Sequence, residues 1–133
     1  MSENSCVFCQ IVEGKIPATK VYEDEKILAF LDIKPVQPGH LLVIPKKHFS
    51  CLVETPDELL SYLFIKSKWL MQVLQKALKA DFVVLSVVGI EVPHFHIHLV
   101  PRYLNDGLAN WWPTQKYPEG KAEQIVQQIK KYL

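Results

Sequence analysis

The chain has 133 residues, 49% of them hydrophobic and 22% charged, with a formal net charge of +1. That is one domain's worth of chain, with enough apolar residues for a core. Its fifteen basic residues include a single arginine, and the lysines are spread out rather than clustered, so no electrostatic footprint for nucleic acid is present. The N-terminus lacks a basic-then-apolar leader, and the longest apolar run, Phe82 to Ile90, is too short to span a bilayer. Together these predict a cytoplasmic protein with no membrane or nucleic-acid partner. Three cysteines, an odd number, argue against a disulfide framework.

In chain order, Cys6 to Glu13 predicts a short helix or turn that ends near Gly14. Lys20–Glu23 and Ile27–Leu31 predict two short strands joined by an acidic turn. The stretch Asp32 to Gly39, with two prolines and a glycine, predicts a loop. His40 to Ile44 predicts a third strand, stopped by Pro45. Thr55-Pro56-Asp57-Glu58 predicts a helix start with Thr55 as N-cap, and apolar residues from Leu59 to Leu78 continue the helix to about Lys79. Phe82 to Val88 predicts a fourth strand, and the histidine-rich stretch ending at Pro101 a fifth. A proline-containing loop with Trp111 and Trp112 follows. Lys121 to Leu133 predicts a last helix with Ile125, Ile129 and Leu133 on one face. The sum is α+β: an antiparallel sheet of about five strands, one long helix and a C-terminal helix.

Three groups of residues carry chemistry. In His94-Phe95-His96-Ile97-His98 the histidines recur with the period of a β-strand, which predicts three imidazoles on one face and Phe95, Ile97 and Leu99 on the other. Imidazole can exchange protons near neutral pH, attack phosphorus or bind a metal. The three together also admit a metallo-hydrolase reading, with the histidines as a facial ligand set. Cys6-x-x-Cys9 by itself fits redox chemistry, a metal or an ordinary cysteine pair. With His48 and His94 it makes a donor set for tetrahedral zinc. Cys51 reads as a small buried hydrophobe. Asp32, at a strand end, suits either sugar hydroxyls or an Asx-turn. His40 opens a strand and reads equally as structural or functional.

Together these residues resemble the histidine triad (HIT) superfamily. The resemblance rests on His94-Phe-His96-Ile-His98-Leu-Val, Cys6-Val-Phe-Cys9-Gln-Ile, Ile16-Pro-Ala, the stretch Tyr22 to Ile33, and Gly39-His40-Leu-Leu-Val-Ile-Pro-Lys-Lys-His48. It runs from Cys6 to about Tyr103, as a core of one HIT domain spanning 1–133, with 104–133 as a C-terminal extension. It implies a HIT-like fold and a homodimer. It also implies purine nucleotide conjugates, phosphoramidates or dinucleoside polyphosphates, cleaved at the α-phosphorus through a nucleotidyl-histidine. By the same resemblance His96 is the nucleophile, His98 bonds the phosphate oxygens and His40 orders the triad. Asp32 holds the ribose, and Val7, Phe8, Ile11, Ile33 and Leu42 form the base pocket. Cys6, Cys9, His48 and His94 match the zinc ligands of some members, a structural site. The chain departs from the family at Ser86-Val-Val-Gly89-Ile-Glu91-Val-Pro-His94. There is no Asn, the loop is short, and Glu91 falls where a phosphate-contacting hydroxyl is expected. That departure leaves a nucleotide-binding scaffold with little catalysis as the competing expectation.

Overall fold

The computed structural model describes residues 5–109 and 113–133. Elements run α1 (Val7–Val12), β1 (Lys20–Glu23), β2 (Ile27–Leu31), β3 (Leu41–Pro45), α2 (Asp57–Leu78), β4 (Phe82–Ser86), β5 (Ile97–Arg102) and α3 (Lys121–Lys130), with a 3-10 turn, Leu52–Glu54, before α2. The strands form one sheet in the order β1-β2-β3-β5-β4, every neighbouring pair antiparallel. The fold is α+β, as the sequence predicts.

Both faces of the central strands are covered, and strand alternation sorts the residues between them. Ile27, Ala29, Leu41, Val43, Phe95, Ile97 and Leu99 pack with Leu63, Leu70 and Leu74 of α2. Leu28, Phe30, Leu42 and Ile44 face the other way and pack with Cys6, Phe8, Cys9 and Ile11 of the α1 segment. A strand buried on both sides reads as a continuous apolar run, and ILAFL and LLVIP are such runs. The α1 face is where the site forms. Among the described residues, no helix is long and apolar enough to cross a membrane.

Several expectations need correction. β5 begins at Ile97, so His94 and His96 precede the strand and only His98 lies within it. The peptides ahead of Ile97 bond elsewhere: Phe95 N–H donates to the carbonyl of Phe49 at 2.7 Å, and His94 N–H to that of Val92 at 2.8 Å. Thr55 is not the N-cap of α2. That position is Pro56, and the Thr55 hydroxyl instead donates to the Cys51 carbonyl at 3.0 Å, closing the preceding turn. β4 stops at Ser86 rather than Val88, because its partner strand supplies no register beyond Ser86↔His98. α3 ends at Lys130, with Leu133 outside it. Cys51 is part-exposed, not buried. Trp111 and Trp112 lie outside the described residues.

Candidate active site and metal cluster

The α1 face opens a cavity of about 460 Å³ beside the histidines, a size suited to a small ligand. Val7, Phe8, Ile11, Ile33 and Leu42, the apolar residues singled out in the sequence, all line it, together with Asp32, His96 and His98. Ile33 stands at the rim, 91% exposed. Ile16, Pro17, Phe30, Lys34, Glu91 and Val92 also line the cavity. Phe30 was legible from strand alternation, since it shares parity with Leu28. Lys34 and Val92 sit in loops and carried no such signal.

Hydrogen bonds select the tautomer that His96, His40 and His98 adopt in the neutral form. The buried His96 ring bonds the His94 carbonyl through Nδ1 at 2.7 Å. A carbonyl only accepts, so Nδ1 carries the proton and Nε2 keeps its lone pair. His40 Nδ1 accepts from the Val36 N–H at 3.1 Å. Its proton is therefore on Nε2, which donates to His98 Nδ1 at 2.9 Å. His98 is left with an N–H at Nε2. Thus His96 has a free lone pair, and the ring next to it, with centroids 4.9 Å apart, has a free donor. Burial depresses the pKa of both His40 and His98. Asp32 opposes this at both, and for His98 the neighbouring His96 and His40 add to it.

Asp32 joins both readings of its position. One carboxylate oxygen accepts from Lys34 N–H at 2.8 Å, the Asx-turn. The other lies 3.7 Å from His40 Nε2, and the residue lines the cavity. Gly39 sets His40 in place: its φ is +94°, and a Cβ there would collide with the Leu78 side chain. The one arginine is structural. Arg102 Nε and Nη2 donate to the two oxygens of Asp106 at 2.6 and 3.0 Å, and Asp106 also accepts from Gln37 Nε2 at 3.1 Å, holding the loop that leads to His40.

His94 turns away from the cavity. Its Nε2–H donates to the Pro45 carbonyl at 2.9 Å, which leaves Nδ1 as a donor atom for a metal. That atom lies 3.3 Å from Cys6 Sγ, 3.5 Å from Cys9 Sγ and 3.2 Å from His48 Nδ1, and Cys9 Sγ lies 3.2 Å from His48 Nδ1. Burial, outweighing the Pro45 bond, lowers the His94 pKa to about 4, with the neighbouring histidines adding to the drop. It is therefore held as the neutral ligand form. Tetrahedral zinc bonds imply edges of about 3.3 Å for N···N and about 3.6 Å for S···N. The four edges just given lie near that frame, and all four donor atoms lie within 4.8 Å of one another. The second metal-capable group is Asp32, His40 and His98. No group among the described residues unites His94, His96 and His98, so the three are not one facial ligand set.

A description of the HIT domain matches residues 13–105. The chain belongs to the histidine triad family. A solved HIT protein from Mycobacterium smegmatis, described as Zn-bound, superposes with a TM-score of 0.77 at 32% identity, covering 99% of this chain and all (100%) of that one. Adenosine 5'-monophosphoramidase HNT1 of Saccharomyces cerevisiae is 39% identical over 94% of this chain and 80% of its own length. Adenylylsulfatase HINT3 of Arabidopsis thaliana is 33% identical over 98% of this chain and 71% of its own. The HIT match takes in Asp32, His40, His48 and the triad. Cys6, Val7, Phe8, Cys9 and Ile11 precede it, yet the fold brings them against the triad: the Phe8 ring lies edge-on to both His94 and His96, at 5.8 and 5.2 Å.

Proposed function

We propose that this HIT protein is a nucleotide hydrolase that cleaves purine nucleotide conjugates at the α-phosphorus through His96. The observation that carries the reading is the fixed His96 tautomer, with Nδ1 tied to the His94 carbonyl and the Nε2 lone pair free in a nucleotide-sized cavity. The names of the yeast and plant relatives support phosphoramidate or adenylyl sulfate chemistry.

The residues divide the work as follows. Val7, Phe8, Ile11, Ile33 and Leu42 offer the base an apolar slot, and the free acceptor capacity of Asp32 suits ribose hydroxyls. The His96 Nε2 pair forms the N–P bond as the bond to the leaving group breaks, and that group departs with its electron pair and takes a proton from solvent. His96 is then an imidazolium, whose Nδ1–H bond to a carbonyl strengthens as charge builds. His98 Nε2–H donates to a phosphoryl oxygen where negative charge grows. Water next attacks phosphorus and the N–P bond returns its pair to Nε2. The nucleoside monophosphate leaves, and a proton returns to solvent. Zinc would be held by Cys6, Cys9, His48 and His94, where four protein ligands complete its shell. It would supply structure, pinning α1 to the triad segment.

His96→Ala should lose at least about a thousandfold in kcat/KM, and denaturing a reaction with nucleotide labelled at the α-phosphorus should trap label on the unchanged protein alone. Retained hydrolysis in the variant would overturn the assignment. Binding of nucleoside monophosphate without turnover by the unchanged protein would leave a scaffold.

A further inference from the structure

Around the cavity the charges are uneven. Among the described residues, Asp32 and Glu91 line it against one cation, Lys34, and no arginine lines it. The one arginine of the chain is committed to Asp106. His40 and His98 are both held toward the neutral form by burial, so neither offsets the carboxylates. Asp32 is already engaged by the Lys34 backbone and stands near His40. Glu91 differs. It is exposed, it sits on the segment between β4 and the triad, it lines the same cavity as His96 and His98, and its field reaches His98.

A carboxylate in this place costs something whenever an anionic phosphate enters, because like charges repel across a protein mouth. That cost is common to every nucleotide conjugate and so cannot discriminate among them. What varies is the charge on the group that leaves. Ribose, base and phosphate are accounted for by the slot, Asp32, His96 and His98. The leaving group then extends from the phosphorus toward the open rim, where Glu91 is the exposed charge on the triad side. A sulfate or polyphosphate leaving group adds negative charge there. An amine that bears a second, protonated amino group brings a compensating positive charge.

We propose that Glu91 is a specificity residue that selects by leaving-group charge, favouring nucleoside phosphoramidates of cationic amines over conjugates with anionic leaving groups. This rests on the hydrolase reading above and names its substrate class. Unit charges roughly 7 Å apart in a medium between protein and water give about a tenfold effect each way. Salt screens the effect, since the rim is solvent-exposed.

The experiment compares kcat/KM for three adenosine conjugates in the unchanged protein and in Glu91→Gln. These are an AMP phosphoramidate of a diamine with its second amine free, an AMP phosphoramidate of an uncharged amine, and adenylyl sulfate. The ratio of the first to the second separates charge from the chemistry of the P–N bond. In the unchanged protein this ratio should exceed one and fall as salt is raised. In Glu91→Gln it should drop by about tenfold and lose its salt dependence, while adenylyl sulfate gains relative to the uncharged amide. A ratio unmoved by the substitution, with turnover retained, overturns the role of Glu91 and leaves the hydrolase reading intact. No turnover of any conjugate by the unchanged protein overturns both. Melting temperature and AMP affinity, measured on the same samples, identify a variant that has misfolded. Glu91→Lys then provides the second arm, where the order of cationic and anionic substrates should reverse.

Discussion

A histidine's neighbours decide its role here more than its place in the sequence. His94, His96 and His98 occur at equal spacing, yet one faces two thiols, one has a free lone pair and one accepts a hydrogen bond from His40. The alternation in sequence correctly placed Phe95, Ile97 and Leu99 in the core opposite them. It could not reveal the tautomers, because these depend on backbone groups off the strand: the carbonyl of Pro45, 49 residues away, for His94, and the amide of Val36 in the preceding loop for His40. Burial holds His40 and His98 below the ordinary imidazole value of 6.5. The unfolded chain therefore takes up these protons first as pH falls. Stability from this pair is fully present above 6.5 and drains away as pH drops through that value toward the folded ones. Melting temperature should decline over this acid range, with buried His94 adding to the loss, and His40→Asn should make the decline shallower. An equal slope in the variant would remove the pair as its source.

At the level of elements, the strands were legible because both-face burial writes long apolar runs into β2 and β3. The helix α2 was legible from its apolar spacing, though its cap was not: the motif at Thr55 fits an N-cap locally, and the preceding turn claims the hydroxyl. The short α1 is the element whose stability depends most on tertiary contacts. Six residues are too few for an isolated helix. Its Cys6 and Cys9 close on His48 and His94, and its Phe8 stands against the triad. If zinc occupies that cluster, one equivalent should copurify. Cys9→Ala should then abolish the metal and lower the melting temperature, with a loss of several kcal/mol for a structural site. Full metal content in Cys9→Ala would show that the ion is held elsewhere. Changes at Cys9 should also weaken nucleotide binding through Phe8, which sequence spacing alone does not suggest.

At the scale of the molecule, two features are only partly covered by the described residues. β4 is an edge strand whose Phe82, Val83, Val84 and Leu85 are only half-buried, and α3 leaves Val126 and Ile129 exposed. Unpaired edges with apolar side chains favour association. On these exposures we propose the homodimer of single-domain chains that the resemblance implies, and sedimentation at micromolar concentration should give twice the 15.3 kDa chain mass. A species at the chain mass would exclude it. Val84→Lys, on the edge strand, should shift a dimer toward monomer. None of this was readable from periodicity, because the edge strand β4, FVVLS, carries the same unbroken apolar run as the inner strands β2 and β3.

His94 contributes twice, and from different chemical parts of the residue. Its imidazole faces the thiols, whereas the acceptor that orients His96 is its backbone carbonyl. Every amino acid supplies that carbonyl, so the orienting bond belongs to the path of the chain and not to the identity of residue 94. Evolution can therefore exchange or discard the side chain, and any ion it holds, without erasing the lone pair on His96. A lineage that had lost both cysteines would still inherit the same proton placement on His96, provided some other packing kept the segment in place.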